Sequence, residues 1–401
     1  MIKFAVMNGL FTQKGRIIIT CNNRLCPYLQ QELQEMGLVP DRSFPTGVEL
    51  QGTLRDCIPL NLKLRTASQV LYSLKTFTAE HPDDIYEAVR KIAWEEMLGA
   101  DGYFSVTSNV DHPSINNTMF TNLRVKDAVV DRMREKKGVR PASGASLHGL
   151  VIHLFWKHEH AEIFLDTSGD SIARHGYRKI PGKAPMLEAL AFAAILATGW
   201  DRLSPFVNPM CGSGTLAIEA ALLATRRYPG LFRENYSFMH LAGYDDGFYR
   251  EAMEAIRAGV VQDTGVRIIA SDISSRAIEN AALNAQAAGV RRCIRFEVCD
   301  FAGTPLPATE HGVLFLNPEY GERLGEEAEL TETYARIGDF LKRECAGYTG
   351  FIFTGNPSLA KKIRLNPSRK YEFYNARIDC RLLKYELYEG TRRKDRKVSE
   401  L

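Results

Sequence analysis

Asn317, Pro318, Glu319 and Tyr320 follow directly on the apolar run 313–316. They bring an amide side chain, a carbonyl fixed by a proline and an aromatic ring to one corner of the chain. That set suits one reaction. An exocyclic amine on a nucleobase is a poor nucleophile, because its lone pair is delocalised into the ring. Two acceptors aimed at its hydrogens, Asn317 Oδ1 and the Pro318 carbonyl, would favour a pyramidal nitrogen. The lone pair would then face an incoming methyl group. Tyr320 can stack on a base drawn out of its helix, worth about 1–3 kcal/mol. No base of unusual pKa is needed early, since the amine turns acidic only as the new bond forms.

Such a corner needs a rigid support. Val, Leu and Phe in an unbroken run predict a strand buried on both faces. Pro318 lacks an N–H and cannot continue a central strand, so the chain turns out at the strand's C-terminal edge. In open α/β sheets ligands sit at that edge.

The same edge collects further groups. From residue 203 the pattern is βαβ: a strand over 203–208, a Gly-rich turn over 209–215 and a helix over 216–227. Its glycines permit close backbone approach, and N–H groups at the helix start can receive a carboxylate or phosphate. A second strand, 266–272, ends in Asp272, suited to a cofactor ribose. A third, 294–298, leads to Asp300, placed to accept from an adenine amine. The interval from Gly214 to Asp272 far exceeds the roughly 20 residues of a dinucleotide fingerprint, with residues 228–262 read as an insertion, which argues against NAD. A helix over 329–343, a strand over 350–354 and a hairpin formed by strands at 371–374 and 378–388 complete the block. An isolated strand-end aspartate is usually a helix cap; the series of strand ends is what favours a site.

Composition sets limits. The 401 residues suffice for two or three domains, and 45% hydrophobic content supports ordinary cores. Net charge is +3, so any nucleic-acid surface must come from local clusters. The eight cysteines include no C-x-x-C pair, which speaks against zinc and for a reducing cytoplasm. His153, His158 and His160 read as a strand edge and turn, so no metal site is expected. The N-terminus lacks a signal-peptide pattern, and no apolar run reaches a membrane-spanning length.

Within this frame the motifs resemble a known family. Asn317 to Tyr320 resembles the (Asn/Asp)-Pro-Pro-(Tyr/Phe) motif of amino-group methyltransferases. The run on through Gly321, Glu322, Arg323 and Leu324 resembles that of the THUMP-containing bacterial 23S rRNA guanine-N2 methyltransferases. Glu319 departs from it, standing where the family has a second proline. Asn208-Pro209-Met210-Cys211-Gly212-Ser213-Gly214-Thr215 resembles the family's first motif, with Asn208 where aspartate is commoner. Leu64 to Leu71 resembles its Leu-Arg-Thr-Ala-Ser-Arg-Val-Leu signature, with Gln69 for arginine. Residues 174–178 differ by one residue from its Arg-Gly-Tyr-Arg. Strand 103–110, a loop over 116–121 and a basic helix beyond it resemble a THUMP domain, with Leu123, Val125, Val129 and Met133 facing inward and Arg124, Lys126 and Arg132 outward.

The resemblance implies an α/β class I methyltransferase fold: a Rossmann-like doubly wound sheet with an antiparallel last strand, preceded by an α+β ferredoxin-like/THUMP region. It implies an N-terminal RNA-binding region over 1–165, ferredoxin-like to about 60 and THUMP from about 61, then a linker and methyltransferase domain over 166–401. It implies S-adenosylmethionine as cofactor and transfer of its methyl to N2 of a guanosine in RNA, with 23S rRNA expected and tRNA the alternative. Asn317, Pro318 and Tyr320 take the catalytic roles. Pro185, Asn208, Pro209, Cys211, Gly212, Ser213, Gly214, Thr215, Asp272, Ile273, Asp300, Phe301 and Asn317 take the cofactor contacts. Arg65, Arg124, Lys126, Arg178, Glu319 and Arg323 take the RNA contacts. Two rivals remain: a catalytically weakened RNA binder, because of Glu319, and an NAD-dependent oxidoreductase resting on the glycine loop alone.

Overall fold

The computed structural model describes residues 9–113, 115, 117–180, 185–321 and 327–388, with the backbone alone at 327–329. They form two compact units. The first runs to residue 179 and also takes in 186–193 and 225–262. The second holds Ile180, Pro185, 194–224 and 263 onward. The insertion thus folds with the first unit, not with the sheet that it interrupts in sequence.

In the first unit the chain runs β1 (Gly15–Cys21), α1 (Cys26–Glu35), β2 (Arg42–Phe44), β3 (Gly47–Gly52), α2 (Leu54–Lys63) and β4 (Ala67–Thr78). It goes on through α3 (Pro82–Arg90), β5 (Tyr103–Asp111), α4 (Thr118–Lys137), β6 (Ala142–Ser143), β7 (Leu150–Lys157) and β8 (His160–Asp166). Among the described residues these eight strands form one sheet in the order β2-β3-β1-β4-β8-β7-β5-β6. Local chemistry sets the helix ends. Thr53 Oγ1 accepts from the Asp56 N–H while Asp56 Oδ2 accepts from the Thr53 N–H, a reciprocal cap that starts α2. Asn117 caps α4 through the Met119 N–H, and Gly138 ends it at φ +68°.

That cap corrects the expected loop over 116–121, since α4 begins at Thr118. Val125, Val129 and Met133 are buried as expected, joined by Thr121 and Ala128. Leu123 is 48% exposed, not inward. It lies two residues from Val125, about 200° around the helix, which puts it opposite the apolar stripe.

The second unit takes up the chain again within α5 (Glu188–Thr198) and continues with β9 (Phe206–Pro209) and α6 (Thr215–Ala224). After the inserted segment, whose main helix is α7 (Asp246–Ala258), come β10 (Ile268–Asp272), α8 (Ser275–Ala287), β11 (Ile294–Val298) and β12 (Gly312–Leu316). The chain closes with α9 (Glu327–Arg343), β13 (Tyr348–Thr354), α10 (Pro357–Lys362), β14 (Arg369–Asn375) and β15 (Ile378–Glu386). The sheet order is β11-β10-β9-β12-β13-β15-β14. β9 to β13 pair in parallel, and β15 lies antiparallel between β13 and β14. This is the expected doubly wound order with a reversed last strand. All five residues of β12 are buried, as the unbroken apolar run required.

No helix among the described residues is long and apolar enough to cross a membrane.

Candidate active site

The C-terminal ends of β11, β10, β9 and β12 lie side by side, and each delivers one expected group. β9 ends at Pro209, and the glycine loop follows. Gly212 and Gly214 have φ of +55° and +82°. At Gly214 the need for glycine is double, because a Cβ would sit 2.8 Å from that of Ala281 on α8. The Gly212 N–H donates to Asp272 Oδ2 at 2.9 Å, and the Ser274 N–H to Asp272 Oδ1 at 3.0 Å. Asp272 therefore clasps the loop to its own turn, leaving further lone pairs on each oxygen. The Gly214 N–H is spent on the Cys211 carbonyl at 2.9 Å. The expected cradle thus depends on loop shape, not on the N–H groups of these two glycines. Ser213 and Thr215 are nearly buried, their hydroxyls 3.5 Å apart. Burial, with the Asp272 carboxylate nearby, pushes the Cys211 thiol well above its ordinary range, so it stays protonated.

Beyond β11, Asp300 Oδ1 accepts from the Ala302 N–H at 3.0 Å and from Arg336 on α9 at 2.9 Å. Phe301, expected at the cofactor, is 5% exposed and its ring meets Phe340 edge-on within the core, which leaves its backbone beside Asp300 as the part that could face a ligand. Ile273, by contrast, is 73% exposed beside Asp272. Pro185 is half-buried.

Asn208 is fully buried and bridges two strands, its Nδ2 donating to the Phe315 carbonyl of β12 at 2.8 Å. Its Oδ1 is buried without a protein donor, and so is Oδ1 of Asn317, just past the end of β12. A buried acceptor left unmade costs about 1–3 kcal/mol, so either oxygen would gain from a donor supplied from outside the chain. Pro318 is buried, Glu319 exposed and Tyr320 half-buried. The Tyr320 hydroxyl accepts from Asn375 Nδ2 at 2.7 Å, and its carbonyl from Asn356 Nδ2 at 3.3 Å.

The expected RNA arginines fare differently. Arg65 is 5% exposed, its guanidinium donating to the Arg227 carbonyl at 3.0 Å and lying over Tyr228 and Phe192. Arg178 donates to the Met186 carbonyl at 2.6 Å and lies 3.5 Å from Glu188. Arg124 pairs with Asp83 and lies over the Tyr86 ring. All three hold the first unit together. Arg132, expected outward, is likewise paired with Glu95. Lys126 is half-exposed, 3.9 Å from Asp127. Arg323 lies outside the described residues.

This geometry agrees with what the chain is similar to. Residues 175–384 match the family model of the RMKL-like methyltransferase domain, 79–166 that of the THUMP domain and 16–71 that of the RlmL ferredoxin-like domain. The first match alone covers more than half of the chain. The chain belongs to the RMKL-like methyltransferase family. A Syntrophotalea carbinolica protein named ribosomal RNA large subunit methyltransferase K/L is 39% identical over 374 residues, covering 90% of this chain and 52% of that relative. The chain thus spans about half the length of most of the curated relatives it matches. A Synechocystis sp. protein provisionally named an RNA methyltransferase is 34% identical over 89% of this chain and 93% of its own length. The crystal structure of SMU.472, complexed with SAH, superposes with a TM-score of 0.85 at 24% identity, covering 94% of this chain and all of that one, and shows the same fold.

S-adenosylmethionine is the methyl donor of this methyltransferase family, and the residues present fit it. Its ammonium and hydroxyl groups are hydrogen-bond donors, which the orphaned Asn208 Oδ1 and the Asp272 carboxylate can accept. Four polar residues in contact with the expected site were missed in the sequence: Asn284, Arg336, Asn356 and Asn375. Only Asn284 had a usable signal, an amide in mid-helix where propensity disfavours it. The other three pair with residues 36 to 55 positions away.

Proposed function

We propose that this protein transfers a methyl group from S-adenosylmethionine to N2 of a guanosine in RNA, with large-subunit ribosomal RNA as its substrate in the cytoplasm. The observation that carries the reading is Asn317 Oδ1, a buried acceptor without a protein donor at a parallel-strand end beside the glycine-loop strand. The donor supplies an electrophilic methyl on sulfonium. Asp272 holds the ribose and keeps the glycine loop closed. Asp300, pinned by Arg336, accepts from the adenine amine. Asn317 Oδ1 and the Pro318 carbonyl take the two hydrogens of the guanine amine, and Tyr320 stacks on the base. The new C–N bond forms as the S–C bond breaks, and the nitrogen then releases a proton to solvent. Orientation of this kind contributes about 7–11 kcal/mol to a bimolecular transfer. Residues 1–165 serve to grip the RNA, with Lys126 the half-exposed basic candidate on α4.

A second reading, an RNA binder with weakened catalysis, rests on exposed Glu319 in place of the family's proline. Nucleotide mapping by mass spectrometry in a strain lacking the protein decides between them. One N2-methylguanosine should vanish from large-subunit rRNA. Its loss from tRNA would move the substrate, and an unchanged map would favour the binder.

A further inference from the structure

Asn284 is fully buried on α8 and has no role in the reaction assigned above. Its amide forms a two-way pair with one residue of the connector: Oδ1 accepts from the Ile180 N–H at 3.0 Å, and Nδ2 donates to the Ile180 carbonyl at 2.9 Å. Nδ2 also donates to the Ser213 carbonyl, in the glycine loop, at 3.3 Å. This orientation of the amide is forced, because only Oδ1 can accept from an N–H. One turn earlier, Ala281 is the residue against which Gly214 packs. A single face of α8 thus sets the height of the glycine loop and fixes the connector to it.

We infer that Asn284 is a positioning residue that sets the width of the donor cleft. The inference rests on the reading that the donor lies at the glycine loop. Pro185, five positions after Ile180 in sequence, is the connector residue expected against the donor, and Ser213 lies between the two positive-φ glycines. These two sides of the cleft are separate in sequence, and Asn284 couples them. Without that coupling, the donor must order both as it binds, and ordering mobile segments weakens affinity. The residue acts on donor affinity without touching the donor. Gripping of the RNA by the first unit should not depend on it.

The test is calorimetric titration of the full chain with SAH. Asn284→Asp keeps the acceptor for the Ile180 N–H but turns a carboxylate toward two carbonyls. Asn284→Ser loses both links without adding a charge, and is read in the same way should the aspartate variant not fold. Ile278→Val, a buried trim on the same helix, is the control for lost stability. The expected result is SAH binding weakened about tenfold or more by the Asn284 variants, with RNA affinity unchanged and Ile278→Val binding SAH as the parent does. Parent-like SAH binding by a folded Asn284 variant overturns the inference. So does an equal loss in Ile278→Val at the same drop in melting temperature. A parent that does not bind SAH removes the donor reading itself, and this inference with it.

Discussion

Asn375 Nδ2 donates to the Tyr320 hydroxyl at 2.7 Å, which ties the aromatic of the Asn-Pro corner to the turn of the last hairpin. Gly355 lies against the same ring, where an added Cβ would come within 3.2 Å. The antiparallel hairpin therefore has a task beyond closing the sheet: it holds a stacking platform still. Tyr320→Phe keeps the ring and loses the tether, and should lower kcat/KM several-fold, as expected for about 1 kcal/mol. Tyr320→Ala removes the platform and should cost tenfold or more. Equal activity in both variants, measured by steady-state methyl transfer, would rule out stacking by this residue.

Arg65 belongs to the core of the first unit. Its backbone N–H donates to buried Glu32 at 2.9 Å, and its charge offsets the burial that raises the Glu32 pKa. Arg65→Ala should cost about 1–3 kcal/mol of stability, because Glu32 keeps the N–H groups at positions 65 and 66 but loses the nearby positive charge. The folded fraction should bind RNA as the parent does. A parent-like melting curve with RNA affinity lost would restore the arginine to the RNA surface.

Glu319 is exposed beside Asn317 and Tyr320. The hypothesis is that its carboxylate accepts from the guanine ring N–H, which adenine lacks. Glu319→Gln should then reduce guanosine methylation, and Glu319→Pro should narrow the preference for guanine over adenine in matched oligonucleotides. Two variants that methylate like the parent would end the idea.

His153 and Asp166 give the first unit opposing pH dependences. Burial pushes the His153 pKa down from 6.5 to about 4. The native ring stays neutral while the unfolded one protonates, so its contribution is complete above pH 6.5 and lost as pH falls toward 4. Burial also raises Asp166 from 3.8 to about 6, against the N–H groups of Ser168 and Gly169. The native acid stays protonated to higher pH, so that contribution is complete below 3.8 and lost as pH rises through 6. His153→Gln should flatten the fall in melting temperature between pH 6.5 and 4. Profiles that run parallel would show that the histidine does not set the acid limb.

The strand ends were legible because their signals are local. A buried run broken by proline placed Asn317, and acids after apolar runs placed Asp272 and Asp300. The glycines at 212 and 214 announced a loop of positive φ, and at 214 one too close to α8 for any other residue. The pairing of the arginines was not legible for the opposite reason. Whether an arginine is free depends on partners far away in sequence, such as the Arg227 carbonyl for Arg65 and Asp83 for Arg124. The same distance hid Arg336 and Asn375, whose partners lie 36 and 55 positions earlier. Leu123 was misfaced because residues two apart cannot share one face of a helix, wherever the helix starts.

The central claim is that Asn317 presents its acceptor to the amine being methylated. Labelled methyl transfer to large-subunit rRNA from a strain lacking the protein tests it most directly, run with Asn317→Ala beside the parent. The account predicts N2-methylguanosine with the parent and a loss of about a hundredfold or more in the variant, while SAH binding is retained. Parent-like transfer by Asn317→Ala, or label on a different atom, would contradict it.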